Sequence, residues 1–425
     1  MLLLVAYACL TDLCFADDPP QAETLRQLSE RKGRVVGAMI LDGTWQTAQQ
    51  KTLVAAEFNA ATVGTFWTRT HPHPNVYDWS VTDAAVQWAD SQGMGIHLHP
   101  LLFPDDRFNP QWVLDSDPAD AATILESHIV TAMQRYKGVV DVWDVVNEAV
   151  SPSEGYRDTW WLRALGPEYI TLAFRIARRE DPDAILVYND HDIELSNSYQ
   201  SRKWATTQEI LRNLHREGLV DALGWQMHTN PDEVLGSQFV MAERMQWVRD
   251  ELGLKNFITE LDMEIPPGDE ALERQGEAYE KVALAWLEHS GGGWLQTWGV
   301  YDGQSWLGDG KRPLLFDEQY QPKPAYDGVV DALQTVPDKL QGDFNGDGRV
   351  GVEDFDLWRQ QFGRTNPSAG PTPDADGDGV VDAMDYTIWR DNYREAEPEL
   401  VASTPEPDAA LLLLVASFAT TLNTL

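Results

Sequence analysis

Cysteine is nearly absent from this chain of 425 residues: the two present, Cys9 and Cys14, both fall within the first sixteen positions. The apolar run from Met1 to Leu10 leads through Cys14-Phe15-Ala16 into Asp17-Asp18-Pro19-Pro20, the order of a cleaved export signal over residues 1–16, although no basic residue precedes the run. Removal of that segment would leave no thiol, which excludes a disulfide framework and thiolate metal centres from the mature protein. Basic side chains are also scarce: 32 against 68 acidic ones give a net charge of -36. That balance argues against nucleic acid or an anionic membrane surface as the main partner, and favours neutral polymers and cations. No internal apolar run reaches the roughly 18 to 20 residues of a membrane span, so the body of the chain should be water-soluble.

What the chain does have is apolar residues enough, at 43%, for one large core with smaller appendages. From residue 35 to 300, short apolar runs alternate with segments of helical spacing. The runs are 35–40, 58–64, 95–103, 139–147, 184–190, 222–228, 256–262 and 294–300. Helical spacing lies between them, as in Ile170, Leu172, Ala173, Ile176 and Ala177, or Val240, Met241, Met245 and Val248. Eight strands alternating with helices predict an α/β fold, a (β/α)8 TIM barrel over residues 24–336 that closes with the helix from Lys323-Pro324 through Leu333. In that fold the active site lies at the C-terminal strand ends. Several runs end in polar groups there: Asn147-Glu148, Asn189-Asp190, Gln226 with His228, and Glu260 with Asp262.

Glu148 and Glu260, 112 residues apart, each close a β-branched apolar run. Cleavage of a glycosidic bond needs one carboxyl to protonate the leaving oxygen and another to attack or stabilise the anomeric carbon, so such a pair points to that chemistry. Trp143-Asp144-Val145-Val146-Asn147-Glu148 and Ile258-Thr259-Glu260-Leu261-Asp262 resemble the acid/base and nucleophile segments of glycoside hydrolase family 10, the endo-β-1,4-xylanases. The resemblance continues through Tyr188-Asn189-Asp190, Gly224-Trp225-Gln226-Met227-His228, Thr297-Trp298-Gly299-Val300, Ser305-Trp306, Pro313-Leu314-Leu315-Phe316-Asp317 and Tyr320-Gln321-Pro322-Lys323-Pro324-Ala325-Tyr326.

It implies a retaining mechanism on xylan or another β-linked plant polysaccharide, with Glu148 as general acid/base and Glu260 as nucleophile. The two carboxyls should then lie about 5 to 5.5 Å apart, with the acid raised in pKa by burial and by its neighbour. His228 should bond the nucleophile, oriented by Asp262, and Asn147 should hold the sugar 2-hydroxyl. Asn189, Gln226 and His99 are expected to add polar contacts, and Trp298 and Trp306 to wall the subsite. Of His97 and His99, strand alternation is expected to send only one toward the barrel axis or mouth, and His99 is favoured. Trp88, Trp112 and Trp286 read as core. Two segments depart from the family: Thr62–Arg69 lacks its polar sugar grips, and Phe103-Pro104 replaces its Trp-His pair. A related β-glycanase with altered glycone specificity, or a silent carbohydrate-binding or scaffold protein, is the alternative.

Beyond a short linker at 337–342 the composition shifts: residues 343 to 400 hold 14 acidic and 5 basic side chains. Asp343-Phe344-Asn345-Gly346-Asp347-Gly348 returns 31 residues later as Asp374-Ala375-Asp376-Gly377-Asp378-Gly379. Each copy opens a twelve-residue loop with calcium-ligand spacing: oxygens at positions 1, 3 and 5, carbonyls of Arg349 and Val380 at 7, Asp382 at position 9 of the second, and Asp354 and Asp385 at 12. A helix follows each loop. The pair resembles a type I dockerin repeat over 343–395, a small all-α module that implies Ca2+ with a structural role and a cohesin-like scaffold protein as partner. Residues 396–425 are a linker and apolar tail. Pro405-Glu406-Pro407 before Ala409 to Ala419 resembles a PEP-type sorting signal, which implies transient membrane attachment and an exported, extracellular or cell-surface enzyme.

Overall fold

The computed structural model describes residues 23–40, 47–151, 155–346, 348–364 and 373–393. The segment expected to direct export, which holds both cysteines, lies outside them, as do Asp347 and the tail expected to direct sorting. Eight strands form the centre: β1 (Val36–Met39), β2 (Ala60–Gly64), β3 (Gly95–His99), β4 (Val142–Asn147), β5 (Ile185–Asp190), β6 (Ala222–Trp225), β7 (Lys255–Met263) and β8 (Leu295–Thr297). Each pairs in parallel with the next, and Val36 to Leu295 joins β1 to β8, closing the cylinder. Such strands are covered on both faces, which is why they read as continuous apolar runs rather than alternating ones.

Helices sheath the outside. Glu168–Glu180 buries Tyr169, Ile170, Ala173, Phe174, Ile176 and Ala177, with Leu172 at the margin of that stripe. Met241–Leu252 takes Val240 as its N-cap and stops at Gly253, whose φ of 66° is open to glycine without strain. The closing helix, Pro324–Gln334, begins with proline at a position whose N–H would be unpaired anyway. Tyr326 of that helix and the Leu25 amide both donate to Glu57, which ties the two ends of the barrel sequence together. Trp286 is fully buried, and Trp88 and Trp112 pack against the core from partly buried positions.

The barrel interior changes character along its axis. Its floor is an apolar plug of Ala60, Val142, Val187, Ala222, Phe257 and Trp294. Above it a polar layer begins with His97, Gln296 and Thr62: Gln296 Oε1 accepts from His97 Nδ1 at 2.8 Å, and its Nε2 donates to Thr62 Oγ1 at 2.6 Å. The plug seals one end, so side chains at the C-terminal strand ends face the only polar mouth formed by the described strands.

Residues 337–342 lie against the N-terminal helix Leu25–Arg31: the Lys339 amide donates to the Arg31 carbonyl at 2.8 Å, and Asp338 pairs with Arg31 and Lys32. Beyond them two helices, Val352–Gln361 and Ala383–Asn392, pack through Phe355, Trp358, Tyr386 and Trp389. Trp358 Nε1 donates to the Asp382 carbonyl and Trp389 Nε1 to the Gly351 carbonyl, both at 2.8 Å, so each repeat bonds the loop of the other.

Candidate active site

Both histidines of β3 face inward, because residues i and i+2 of a strand share a face. The expectation that alternation would separate them is corrected: His97 lies one layer down and His99 at the mouth, with Asp144 between. Asp144 is fully buried, 3.0 Å from His97 Nε2 and 2.7 Å from His99 Nδ1. Burial alone would raise its pKa, but the two imidazoles outweigh that and bring it to about 2. His99 is pushed down by burial and pulled up further by the carboxylates of Glu260 and Asp144, ending above its ordinary value.

Glu260, buried on β7, is held by three side chains. Asn189 Nδ2 donates to its Oε1 at 2.7 Å, His228 Nε2 lies 3.1 Å from its Oε2, and His99 Nδ1 is 3.7 Å from Oε1. His228 can reach it because Met227 takes φ of 66°, which ends β6 at Trp225 and restarts pairing with β7 at His228–Thr229. Asp262 fixes that imidazole from behind, 2.9 Å from Nδ1, and accepts from Trp306 Nε1 at 2.7 Å. Burial lowers the His228 pKa, but Asp262 and then Glu260 reverse this and lift it to about 10. Asn189 itself is oriented by Thr259 Oγ1, which donates to its Oδ1 at 2.7 Å. Gly224 makes room for that amide, since a Cβ there would stand 2.3 Å from Asn189 Oδ1.

Glu148 follows β4 with φ of 54°, a conformation that costs a non-glycine residue on the order of 1 kcal/mol or more and turns its side chain into the mouth. Gln226 Nε2 donates to its Oε1 at 3.1 Å and to Asn147 Oδ1 at 3.0 Å, and Asn189 donates to the same Asn147 oxygen at 3.0 Å. One hydrogen-bonded chain, Glu148, Gln226, Asn147, Asn189, Glu260, therefore links the two carboxylates. Glu148 Oε2 meets Arg157 Nη2 at 3.0 Å and His191 Nε2 at 3.4 Å. The acid was expected to be raised in pKa. Burial does push it up, but His191, Gln226 and Arg157 prevail and bring it to about 2.

Arg157, His191 and Asp144 were not among the residues singled out from sequence. Arg157 returns to Glu148 because Tyr156 pairs antiparallel with Val150, a local reversal nine positions after the glutamate. His191 directly follows Asn189-Asp190, and that adjacency was the available signal.

Trp298 stands edge-on to His99 and His228, with ring centroids 5.1 and 6.1 Å apart, and Trp306, 57% exposed, stands 5.0 Å from His228. Where the polar grips are missing, on the β2 and β3 side, Phe66 lies 5.6 Å from His99 and 5.9 Å from Phe108, which stacks on Phe103 at 4.1 Å. Arg69 is turned away, donating to the Gly64 carbonyl.

Two carboxylates joined by one hydrogen-bonded chain thus stand at a single barrel mouth, and residues 24–332 match the model of glycosyl hydrolase family 10. The chain belongs to glycosyl hydrolase family 10. It is a hydrolytic enzyme of that family. An endo-1,4-beta-xylanase B of Thermotoga neapolitana is 34% identical over 350 residues, covering 78% of this chain and 96% of the relative. Xylanase 10B of Thermotoga petrophila, solved with xylobiose, superposes with a TM-score of 0.66 at 31% identity, over 75% of this chain and 99% of that one. An endo-1,4-beta-xylanase A of Cellvibrio japonicus is 32% identical over 328 residues, but there the match spans 68% of this chain and only 52% of a longer protein.

Downstream of the family 10 barrel, residues 341–390 match the type I dockerin domain. In the second loop Asp374, Asp376 and Asp378 bring carboxylate oxygens within 4.8 Å of one another. Burial, then Asp385 and Asp376, raise the Asp374 pKa despite the amides of Gly379 and Gly377, so the carboxylates repel one another and a cation would relieve them. The first loop has the same frame: Asp343 accepts from the amides of Gly346 and Gly348 at 2.7 and 2.9 Å, as Asp374 does from Gly377 and Gly379 at 2.9 and 3.0 Å. Asp354 and Asp385 are buried and brace each loop start, accepting from Phe344 and Asn345 and from Ala375 and Asp376. Asp382 accepts from Met384 N at 2.6 Å as a helix cap. Oxygen donors of this kind and number suit Ca2+.

Proposed function

We propose that this enzyme hydrolyses β-1,4-linked xylan by double displacement, with Glu148 as general acid/base and Glu260 as nucleophile. The observation that carries the reading is the asymmetry of the two carboxylates. Glu260 is buried, and its carboxylate is fixed toward the mouth by Asn189 and the Asp262-backed imidazole of His228, as an attacking group requires. Glu148 sits nearer solvent among groups that can exchange a proton. Attack by Glu260 on the anomeric carbon would expel the aglycone as Glu148 protonates the glycosidic oxygen. Glu148 would then take a proton from the water that releases the sugar with retained configuration. Asn147, its oxygen occupied by Gln226 and Asn189, would offer its amide hydrogens to the 2-hydroxyl, with Gln226 and His99 completing that subsite and Trp298 and Trp306 stacking on sugar faces.

The phenylalanine wall at Phe66, Phe103 and Phe108 favours one second reading, a related retaining β-glycanase that grips its glycone side through apolar contact. A reducing-sugar panel over xylan, glucan and mannan separates the two. Glu260→Gln should lower turnover by about 10^4-fold or more while glycan binding survives in calorimetry, and unchanged activity would remove Glu260 from its role.

In the module, Asp343, Asn345, Asp347, Asp354 and the Arg349 carbonyl would hold one Ca2+, and Asp374, Asp376, Asp378, Asp382, Asp385 and the Val380 carbonyl another. Folding of the loops would be coupled to that binding. A barrel joined to a dockerin-type module supports an exported enzyme held by a cohesin-like scaffold at the cell surface or outside it.

A further inference from the structure

Each glutamate has an imidazole and then a carboxylate behind it, hydrogen-bonded in succession behind Glu260 and at ion-pair distance behind Glu148. On one side of the mouth Glu260, His228 and Asp262 follow one another at 3.1 and 2.9 Å; on the other, Glu148, His191 and Asp192 do so at 3.4 and 3.1 Å. The second set is built rather than incidental. Asp192 adopts φ of 53°, which directs its carboxylate back to His191 Nδ1, and Tyr199 Oη donates to the same oxygen at 3.0 Å. The His191 amide is anchored on Asp190 Oδ1 at 3.0 Å.

A general acid must carry a proton when substrate arrives, yet Glu148 is surrounded by groups that strip it. We propose that His191 is the proton store of Glu148: the pair holds one proton between them, resting on His191 in the free enzyme and passing to Glu148 as the glycosidic bond breaks. This rests on the assignment of Glu148 as acid/base. In the first half-reaction the proton moves from His191 Nε2 to Glu148 Oε2, and a proton from Glu148 goes to the glycosidic oxygen. The C–O bond to the leaving sugar breaks as the Glu260 carboxylate bonds the anomeric carbon. In the second, Glu148 takes a proton from water, the hydroxide oxygen displaces Glu260, and the proton returns to His191, leaving the enzyme as it began.

The charges around His191 support the resting state. Burial disfavours its cation, but Asp192 and Glu148 more than offset this and hold it near 9; Lys203 opposes and Asp190 assists more weakly. The Arg157 guanidinium, 3.5 Å from Nε2, also faces the ring. Arg157, 3.0 Å from Glu148 Oε2, helps keep that carboxylate ionised.

The test is the pH dependence of kcat/KM for xylotetraose, whose leaving group needs protonation, beside that for 2,4-dinitrophenyl β-xylobioside, whose leaving group does not. With the store intact, activity on xylotetraose persists until His191 loses its proton on the alkaline side. His191→Gln should move that alkaline limb down by about 3 pH units, toward the range of a lone carboxyl, and Asp192→Asn by about 1. Neither should move the alkaline limb for the dinitrophenyl substrate. A purely structural role for His191 would lower rates on both substrates and leave both limbs in place. An alkaline limb for xylotetraose that stays put in His191→Gln, or in Asp192→Asn should the first variant not fold, overturns the proposal. Glu148→Ala should slow xylotetraose far more than the dinitrophenyl glycoside; equal slowing would overturn the assignment of Glu148 and the proton store with it.

Discussion

Lys203→Met should destabilise the barrel strongly, and the reason lies beneath the active site. Lys203 and Asp190 are both fully buried, with Nζ 2.6 Å from Oδ1. The ammonium makes no well-angled hydrogen bond, so its compensation comes almost wholly from the Asp190 charge. Removing one member of a buried pair strands the other, at a cost of roughly 3–5 kcal/mol. Asp190 would keep the Tyr188 hydroxyl at 2.7 Å and the His191 amide at 3.0 Å, which places the expected loss near 3 kcal/mol, about a hundredfold in the folding equilibrium. Urea denaturation should show the midpoint falling by on the order of 1 M. Asp190→Asn combined with Lys203→Met should recover much of the loss, because no charge is then stranded. A single-variant loss below about 1 kcal/mol would refute the reasoning, since the ammonium would then be satisfied by something other than Asp190.

Removing divalent cations with EGTA should unfold the paired helices at 352–361 and 383–392, seen as lost helical signal and fast proteolysis, while hydrolysis by the barrel continues; helices indifferent to chelation would remove the cation from the module's folding. Acid sensitivity should come from a buried histidine pair: burial holds His71 near 4 and His128, facing His71, well below its ordinary value. Both are neutral when folded and titrate near 6.5 when unfolded, so the unfolded chain binds more protons between those values. Their stabilisation is complete above about pH 6.5 and is lost as pH falls toward 4. His128→Phe, which can keep the stack on Trp67, should flatten that slope in denaturation series; an unchanged slope would assign it elsewhere.

The eight strands were legible because parallel strands covered on both faces leave apolar runs, and their ends were misjudged where the chain departs from the ladder. Phe103 belongs to a loop, and Met227 breaks β6 through its positive φ. His228, Asp262, Asn189 and Gln226 could be found because they sit on or beside the strands that carry the glutamates. The ionisation of Glu148 could not. Its direction depends on Arg157 and His191, brought in by a loop reversal and by β5, and neither contact leaves a periodic mark in the sequence. The phenylalanine wall was visible as missing polar groups; what fills their place emerges only where Phe108 folds back onto Phe66 and Phe103.

The exchanged indole bonds of the acidic module bear on how it would take up cations. Trp358 closes on the backbone of the second loop and Trp389 on the backbone of the first. Ordering either loop thus seats the clasp of its twin, and half of the duplication has nothing to fasten to. Titrated with calcium, the two loops should fill as a single cooperative event, and a chain cut between the repeats should lose both sites together.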